Sequence, residues 1–185
     1  MSEKTPLVSV LTLAYNQAPY IRECLDGILM QKTNFAFELL IHDDASTDGT
    51  ADIIREYEAK YPDIVKPIYQ TENKYSKGVK ISSTYQLPRA KGKYIALCEG
   101  DDYWTDPLKL QKQVDFMEAN PEYSLCFHKA KVIYQDEDKE SHIFANIEDR
   151  EYSASEIYET WYIQTATTLF KKESLFKNID ILKKK

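Results

Sequence analysis

The sequence predicts an α/β fold built on a mostly parallel sheet with helices on both faces. Two observations lead to this prediction. Short apolar, β-rich runs alternate with segments in which apolar residues recur at helical spacing, and two of the runs end abruptly in acidic residues that favour turns. Because strand–helix–strand units cross over in one hand, their repetition places parallel strands side by side. We therefore expect one α/β domain over residues 1–171 and a lysine-rich tail over residues 172–185.

The first half of the chain contains two strand–helix units and a further strand. Residues 7–13 are apolar and β-rich, and a helix is expected over 19–31 because a proline suits the first helical turn and apolar residues then recur on one face. The second unit combines a strand at 37–42 with a helix that is capped near Thr50. A third strand is expected at 65–69.

The second half continues the alternation with a charged interruption at residues 135–141, which we interpret as a solvated loop or hairpin. Ser153 and Glu156 have the spacing of a helix capping box. The expected elements are a short helix over 81–90, strands over 94–98, 125–134 and 165–170, and helices that begin near Pro107 and after Ser153.

Length and composition agree with a single domain. The chain has 185 residues, 43% of them hydrophobic, so it can bury one substantial core. Its formal charge of −6 argues against nucleic acid as the main partner, which would normally require a basic face. No apolar run approaches the length of a membrane-spanning helix, and the polar start is not a signal peptide, so we expect a soluble, cytosolic protein.

The cysteines and histidines predict no metal site of their own. Cys24, Cys98 and Cys126 are widely spaced in apolar surroundings, which favours reduced core thiols over disulfides or a zinc site. The histidines show no ligand spacing with each other or with the cysteines. His42 precedes an acidic pair, and we interpret it as a hydrogen-bonded histidine at a strand end rather than a catalytic one.

Two acidic clusters follow directly on predicted strands. One is Asp43-Asp44 and the other is residues 99–102, which read Glu-Gly-Asp-Asp. If the strands are parallel, five carboxylates converge at the carboxyl-end edge of the sheet, where open α/β sheets bind their ligands. Like charges that close repel one another, so a divalent cation is the simplest partner for the arrangement. The pair Asp43-Asp44 also suits a turn and a helix cap, which is the alternative interpretation.

Three motifs stand in order along the chain. They are residues 8–11 with Tyr15-Asn16, residues 43–50 (DDASTDGT), and residues 92–96 leading into 99–104 (EGDDYW). In sequence, order and spacing these motifs resemble the family 2 glycosyltransferases of the GT-A fold over nearly the whole chain. The resemblance implies metal-dependent transfer of a sugar, with inversion, from a nucleotide-sugar donor, most often a UDP-sugar, to a hydroxyl group.

The resemblance also implies a setting and a set of partners. The acceptor would be a saccharide or a lipid-linked molecule, used in the synthesis of cell-surface polysaccharide or glycolipid. The enzyme would act in the cytoplasm, and peripheral association with the inner face of the membrane is a further expectation. The cofactor would be Mn²⁺ or Mg²⁺.

Site residues are carried over from the family motifs. An aromatic face and a carboxylate acceptor suit a pyrimidine base with an N–H donor. The last carboxylate of the family's Asp-x-Asp motif binds the metal, and it corresponds here to Asp101. Trp104 is interpreted either as a packing residue or as a platform on the acceptor side. The resemblance assigns Ala14, Tyr15, Asp43 and Asp44 to the nucleotide, and Glu99, Gly100, Asp101 and Asp102 to the donor sugar and diphosphate.

The catalytic base is not identifiable from the sequence. The resemblance places it in an acidic motif downstream of a strand comparable to residues 165–170, and we expect it beyond Lys185 in a longer protein. Neither Asp180 nor the acidic residues 148–151 have a supporting motif. A nucleotide-sugar binding module that lacks a base and does not turn over unaided is therefore the alternative function.

Two other classes of nucleotide-binding enzyme fit the sequence poorly. A nucleotidyltransferase or sugar-nucleotide pyrophosphorylase would need a glycine-rich phosphate loop after the first strand. A hydride-transferring dinucleotide enzyme would need one at the same place. Residues 14–18 contain no glycine, which disfavours both classes.

Overall fold

The computed structural model describes residues 5–135, 138–145, 147–160 and 162–175. Most of the expected lysine-rich tail, including Asp180, lies outside the described residues. The strands are β1 (Val8–Ala14), β2 (Phe37–Asp43), β3 (Ile68–Tyr69), β4 (Tyr94–Leu97), β5 (Leu125–Cys126), β6 (Ala130–Val132), β7 (His142–Phe144) and β8 (Leu169–Lys171). The α-helices are α1 (Ile21–Leu29), α2 (Thr50–Lys60), α3 (Lys109–Ala119) and α4 (Ala154–Glu159).

The central sheet is mixed, with a parallel part and an antiparallel edge. Its six strands lie in the order β3-β2-β1-β4-β8-β5. The first four strands are parallel to one another, whereas β8 runs antiparallel to both β4 and β5. Strands β6 and β7 form a separate antiparallel pair. The mostly parallel α/β sheet predicted from the sequence is confirmed, and the carboxyl ends of β1, β2 and β4 meet at one edge.

The two faces of the sheet are covered unequally. On one face, apolar residues of β1, β2 and β4 pack against buried residues of α1, α2 and α3 in a single core. On the other face, Leu11, Leu40 and Ile95 form a smaller cluster with Ala90 and with the partly buried Leu87. This second face is crossed by a π-helical turn at Ser82–Gln86, where an ordinary short helix was predicted. Alternation along each strand accounts for both clusters, since a strand buried on both faces presents apolar side chains on each.

The region predicted as one strand over 125–134 is divided between two sheets. Strand β5 pairs with β8 in the central sheet, whereas β6 pairs with β7 in the separate hairpin. Because each half finds a different partner, the chain turns between them, and the prediction of a continuous strand was wrong. The expected strand over 165–170 likewise begins as a 3₁₀ turn at Thr165–Thr167 before β8. The capping box of α4 is confirmed, with Ser153 Oγ accepting from the Glu156 N–H.

Gly92 permits the close approach of β4 to β1. A Cβ atom at this position would lie 2.5 Å from Ser9 N and 2.8 Å from Tyr94 O, both backbone atoms that cannot give way cheaply. Its N–H also donates to Ser9 Oγ at 2.9 Å. We expect Gly92→Ala to lower the free energy of unfolding by about 2 to 4 kcal/mol in urea denaturation, because the strands must separate. Exposed Lys91→Ala is the control, and equal stability of the two variants would contradict this expectation.

Candidate functional site

Two loops at the carboxyl-end edge are tied together by the second motif. The loop after β1 donates the Asn16 N–H to Ser46 Oγ at 2.9 Å and the Ala18 N–H to Asp48 Oδ2 at 2.9 Å. In return, Asn16 Oδ1 accepts the Thr47 N–H at 2.8 Å. Much of the 43–50 motif therefore serves as a scaffold that fixes the entrance of α2 against the entrance of α1.

Asp43 and Asp44 are neighbours with different surroundings. Asp43 is buried, and its Oδ2 accepts the Ser46 N–H at 3.2 Å, an arrangement that supports the turn before α2. Asp44 is also buried, but it faces a cleft that Asp43 does not line. The assignment of Asp43 to nucleotide binding stays a prediction. Its observed hydrogen bond, from the Ser46 N–H, is the one expected of a residue that stabilises a turn.

Asp44 connects the end of β2 to a segment at residues 73–75. Its Oδ1 accepts the Lys74 N–H at 2.8 Å, and its Oδ2 accepts the Tyr75 N–H at 2.9 Å. Each carboxylate oxygen can accept more than one hydrogen bond, so the group retains acceptor capacity toward a ligand. The segment it holds contributes Asn73 and Tyr75 to the wall of the cleft. Nothing beyond its polar composition identifies this segment in the sequence.

The cleft has a volume of about 190 Å³ and brings together residues from all three motifs. Ala14 and Tyr15 come from the β1 exit, Asp44 from the β2 exit, and Glu99 and Asp101 from the β4 exit. Tyr15 is 48% exposed, so its ring is accessible to a ligand rather than buried in the core. Three of the five predicted carboxylates, those of Asp44, Glu99 and Asp101, thus line the same cleft. Asp102 adjoins it, since its carboxylate lies close to those of Glu99 and Asp101.

Glu99, Asp101 and Asp102 form an acidic cluster. One carboxylate oxygen from each lies within 4.8 Å of the others. Burial, followed by the charges of Asp101 and Asp102, raises the pKa of Glu99, and burial together with Asp101 raises the pKa of Asp102. A bound cation would relieve this repulsion, and carboxylate oxygens are the hard ligands that Mn²⁺ and Mg²⁺ prefer. The cluster therefore fits the metal that the sequence predicts.

Gly100 shapes the acidic cluster through backbone packing. Its N–H donates to Leu13 O at 2.9 Å, which attaches the loop to the end of β1. A Cβ atom here would overlap Gln17 Oε1 and approach Leu13 O to 3.0 Å. Only glycine accommodates this contact without displacement of a neighbour. Its position between Glu99 and Asp101 thus orients the two carboxylates, while direct contact of Gly100 with the donor stays a prediction.

Trp104 is a packing residue. Only 4% of it is exposed, its Nε1 donates to Ala166 O at 2.8 Å, and Lys109 Nζ lies 3.6 Å from its ring centroid. The alternative of an acceptor platform is therefore wrong, because the ring faces the core. No sequence pattern singles out Lys109, which is buried with no hydrogen-bond partner for Nζ among the described residues. Burial lowers the pKa of Lys109 to about 7.

His42 lines the inner wall of the cleft and is fully buried near the end of β2. The hydrogen bond expected from the sequence is not formed within the described part of the chain, where neither ring nitrogen has a partner. Its Nε2 lies 3.6 Å from Asp44 Oδ1, slightly beyond hydrogen-bond length. Burial lowers the pKa of His42, while Asp44 acts in the opposite direction. The imidazole is therefore neutral at physiological pH.

The acidic residues of the 148–151 segment belong to a different cavity. This cavity has a volume of about 920 Å³ and is lined by α3, β5 and the segment that leads into α4. Glu151 accepts a hydrogen bond from Tyr123 there. Neither Glu148 nor Glu151 lines the cleft of Tyr15 and Asp44, so the described residues supply no candidate base from this segment.

No helix in the described ranges has the length and apolar character needed to cross a membrane.

The fold is shared with two solved structures. The mannosyltransferase PcManGT of Pyrobaculum calidifontis, in complex with GDP-Man and Mn²⁺, aligns with a TM-score of 0.65 at 23% identity, over 93% of this chain and 46% of that one. TarS of S. aureus (residues 1–349), in complex with UDP-GlcNAc, aligns with a TM-score of 0.69 at 23% identity, over 94% of this chain and 47% of that one. These likenesses show the fold.

Curated relatives extend the similarity at higher identity. The uncharacterized protein Rv1520 of Mycobacterium tuberculosis is 43% identical over 93% of this chain and 49% of its own length. The putative teichuronic acid biosynthesis glycosyltransferase TuaG of Bacillus subtilis is 39% identical over 63% and 44%. The UDP-Glc:alpha-D-GlcNAc-diphosphoundecaprenol beta-1,3-glucosyltransferase WfaP of Escherichia coli is 38% identical over 61% and 42%. The chain thus spans about half the length of these relatives.

A family model covers nearly all of the chain. The model described as glycosyl transferase family 2 matches residues 9–177, a range that includes all three motifs except Val8, and every residue of the cleft and the acidic cluster. The family predicted from those motifs is confirmed, and the fold agrees with it. The chain belongs to glycosyl transferase family 2.

Proposed function

We propose that this chain is the donor-binding part of a metal-dependent, inverting glycosyltransferase that uses a UDP-sugar. One observation carries the proposal. In this member of the family, the exposed ring of Tyr15, the carboxylate of Asp44 and the acidic cluster line or adjoin one cleft at the carboxyl-end edge of the sheet. Open α/β sheets bind nucleotides at this edge, and here the three groups come from three different strands.

The nucleobase would bind at the Tyr15 end of the cleft. An exposed tyrosine offers a face for stacking, and Asp44 offers an acceptor for an N–H at the edge of a pyrimidine. A uridine nucleotide is supported by WfaP, whose name gives UDP-Glc as the donor, and by TarS, which was solved in complex with UDP-GlcNAc. GDP-mannose, bound by PcManGT, is the competing donor type.

Mn²⁺ or Mg²⁺ would be held by Asp101, with Glu99 and Asp102 close enough to share or support the coordination. When bound, the ion supplies positive charge to the leaving diphosphate. Asp101 would orient the donor through that ion, and Glu99 would lie toward the ribose or sugar. An acceptor hydroxyl attacks from the opposite face in an inverting reaction and passes its proton to a carboxylate base, which we place outside residues 1–185.

The acceptor is proposed to be a saccharide or a lipid-linked saccharide in cell-surface polysaccharide or glycolipid synthesis. The names of TuaG, for teichuronic acid, and WfaP, with a diphosphoundecaprenol acceptor, support this class. An enzyme that acts on such an acceptor would lie in the cytoplasm at the inner face of the membrane. Residues 172–185 are proposed to be a lysine-rich tail of the α/β domain over residues 1–171.

Calorimetric titration tests the donor assignment. UDP-, GDP- and dTDP-sugars are titrated into the chain with and without Mn²⁺ or Mg²⁺, and we expect UDP-sugars to bind most tightly and only with metal. Tight binding without metal, or a preference for GDP-sugars, would contradict the respective part of the proposal. Failure of every nucleotide sugar to bind would contradict the proposed function as a whole.

The second candidate is a nucleotide-sugar binding module without turnover of its own. It is favoured by the placement of Glu148 and Glu151 in the other cavity, which leaves no acidic side chain of that segment beside the donor cleft. Release of UDP from a UDP-sugar separates the two candidates. A transferase part is expected to release UDP slowly to water with metal present, whereas the module is expected to bind the donor and leave it intact.

A further inference from the structure

We propose that His42 is a positioning residue that holds Asp44, and through Asp44 the 73–75 segment, in the conformation that forms the nucleotide cleft. The inference rests on contacts within the chain, and only its second test depends on the proposed function. His42 belongs to none of the roles assigned above. It is nonetheless fully buried and lines the inner wall of the cleft, with Nε2 3.6 Å from Asp44 Oδ1.

A buried neutral imidazole needs a partner for its N–H. The ring carries one donor and one acceptor, and leaving a buried donor unsatisfied costs about 1 to 3 kcal/mol. Asp44 Oδ1 is an acceptor at 3.6 Å, so a small side-chain adjustment completes an Nε2–H to Oδ1 hydrogen bond. Tyr85 packs against the ring on another side, with centroids 5.1 Å apart, and limits its movement. The geometry thus favours the Nε2–H tautomer directed at Asp44.

Asp44 needs the same contact. The residue is 5% exposed, and its carboxylate accepts hydrogen bonds from the Lys74 and Tyr75 N–H groups, which lie 30 and 31 residues further along the chain. A donor from β2 itself fixes the carboxylate from behind, so that both oxygens stay aligned with the two N–H groups. Hydrogen bonds to a charged acceptor are stronger than neutral ones, so misalignment of Asp44 would release the 73–75 segment.

This arrangement links the histidine to the shape of the cleft. Asn73 and Tyr75 line the cleft wall, and their position depends on the two hydrogen bonds to Asp44. His42 can therefore set the affinity for a nucleotide through the position of Asp44 and of this wall, because the wall is already formed before binding. His42→Leu removes the donor at similar volume, whereas His42→Gln retains an N–H group that can reach Asp44.

Amide hydrogen exchange measured by NMR on the ligand-free chain tests the inference. In His42→Leu, we expect the Lys74 and Tyr75 amides to exchange at least about tenfold faster, and in His42→Gln we expect rates within about threefold of wild type. The Lys66 amide, which donates to Leu39 O at 2.8 Å, reports whether the sheet remains folded. Unchanged Lys74 and Tyr75 rates in a folded His42→Leu chain would overturn the proposal, and so would a failure of His42→Gln to restore them.

Titration with UDP and Mn²⁺ is the second test. His42→Leu is expected to lose about tenfold in affinity in the wild-type background and little further in Asp44→Ala, because both changes remove one coupled contact. His42→Gln should bind normally. Additive losses in the double variant would overturn the positioning role. If the wild-type chain binds no nucleotide, the proposed function fails, while the exchange experiment still decides the role of His42.

Discussion

Asp101→Asn is expected to weaken Mn²⁺-dependent binding of UDP or a UDP-sugar by about 30-fold or more, with little change in the stability of the chain. The amide has the shape of the carboxylate but carries no charge, so it is a poor ligand for a hard dication. Asp101 is exposed and lines the cleft beside Glu99, so its replacement should not disturb the core. Calorimetry with and without metal measures the effect.

Asp63→Asn is the matched control. Asp63 is an exposed carboxylate in the connection from α2 to β3, which lies at the opposite edge of the sheet from the cleft. The Asp63→Asn variant should bind nucleotide as the wild type does. Loss of binding in both variants would point to a general effect of charge, whereas full metal-dependent affinity in Asp101→Asn would remove Asp101 from the proposed metal site.

Lys109→Met is expected to raise the free energy of unfolding by about 2 to 3 kcal/mol at pH 6. Burial of the amine lowers its pKa to about 7, and Nζ has no hydrogen-bond partner among the described residues. The face of Trp104, 3.6 Å from Nζ, favours the charged form and offsets part of that cost. Methionine retains the apolar stem and removes the charge.

The gain from Lys109→Met should depend on pH in a definite direction. The lysine pKa falls from about 10.5 in the unfolded chain to about 7 in the folded chain. Below pH 7 both states hold the proton and the full cost of burying the charge is present. Between pH 7 and 10.5 only the unfolded chain holds it, so wild-type stability rises with pH relative to the variant. The advantage of methionine should therefore be largest at pH 6 and nearly absent at pH 10.5.

Urea denaturation at pH 6, 8 and 10 measures this dependence. Lys112→Met lies one turn further along α3 and replaces a lysine whose side chain is 64% exposed, which makes it the control. It should show no comparable pH trend, since its ion pair with Asp106 is exposed and contributes little. A stability difference between wild type and Lys109→Met that is the same at pH 6 and pH 10 would contradict the assignment.

Local pattern was sufficient for the parallel part of the fold. Strands β1, β2 and β4 and helices α1 and α2 begin within one or two residues of their predicted positions, because period and turn residues are properties of neighbouring amino acids. A prediction that depended on a distant partner was wrong. The 125–134 run contains two strands, since its halves pair with β8 and β7, and no local signal encodes those partners.

The sequence by itself determined the family and the three motifs, because these are carried by residue identity and spacing. Only the tertiary structure separated Asp43 from Asp44, since adjacent residues at a strand end point in different directions and meet different neighbours. It alone directed Trp104 into the core and brought His42 and the 73–75 segment to Asp44. Burial and hydrogen bonding are set by the packing of distant segments, so these roles became visible only when the chain was folded.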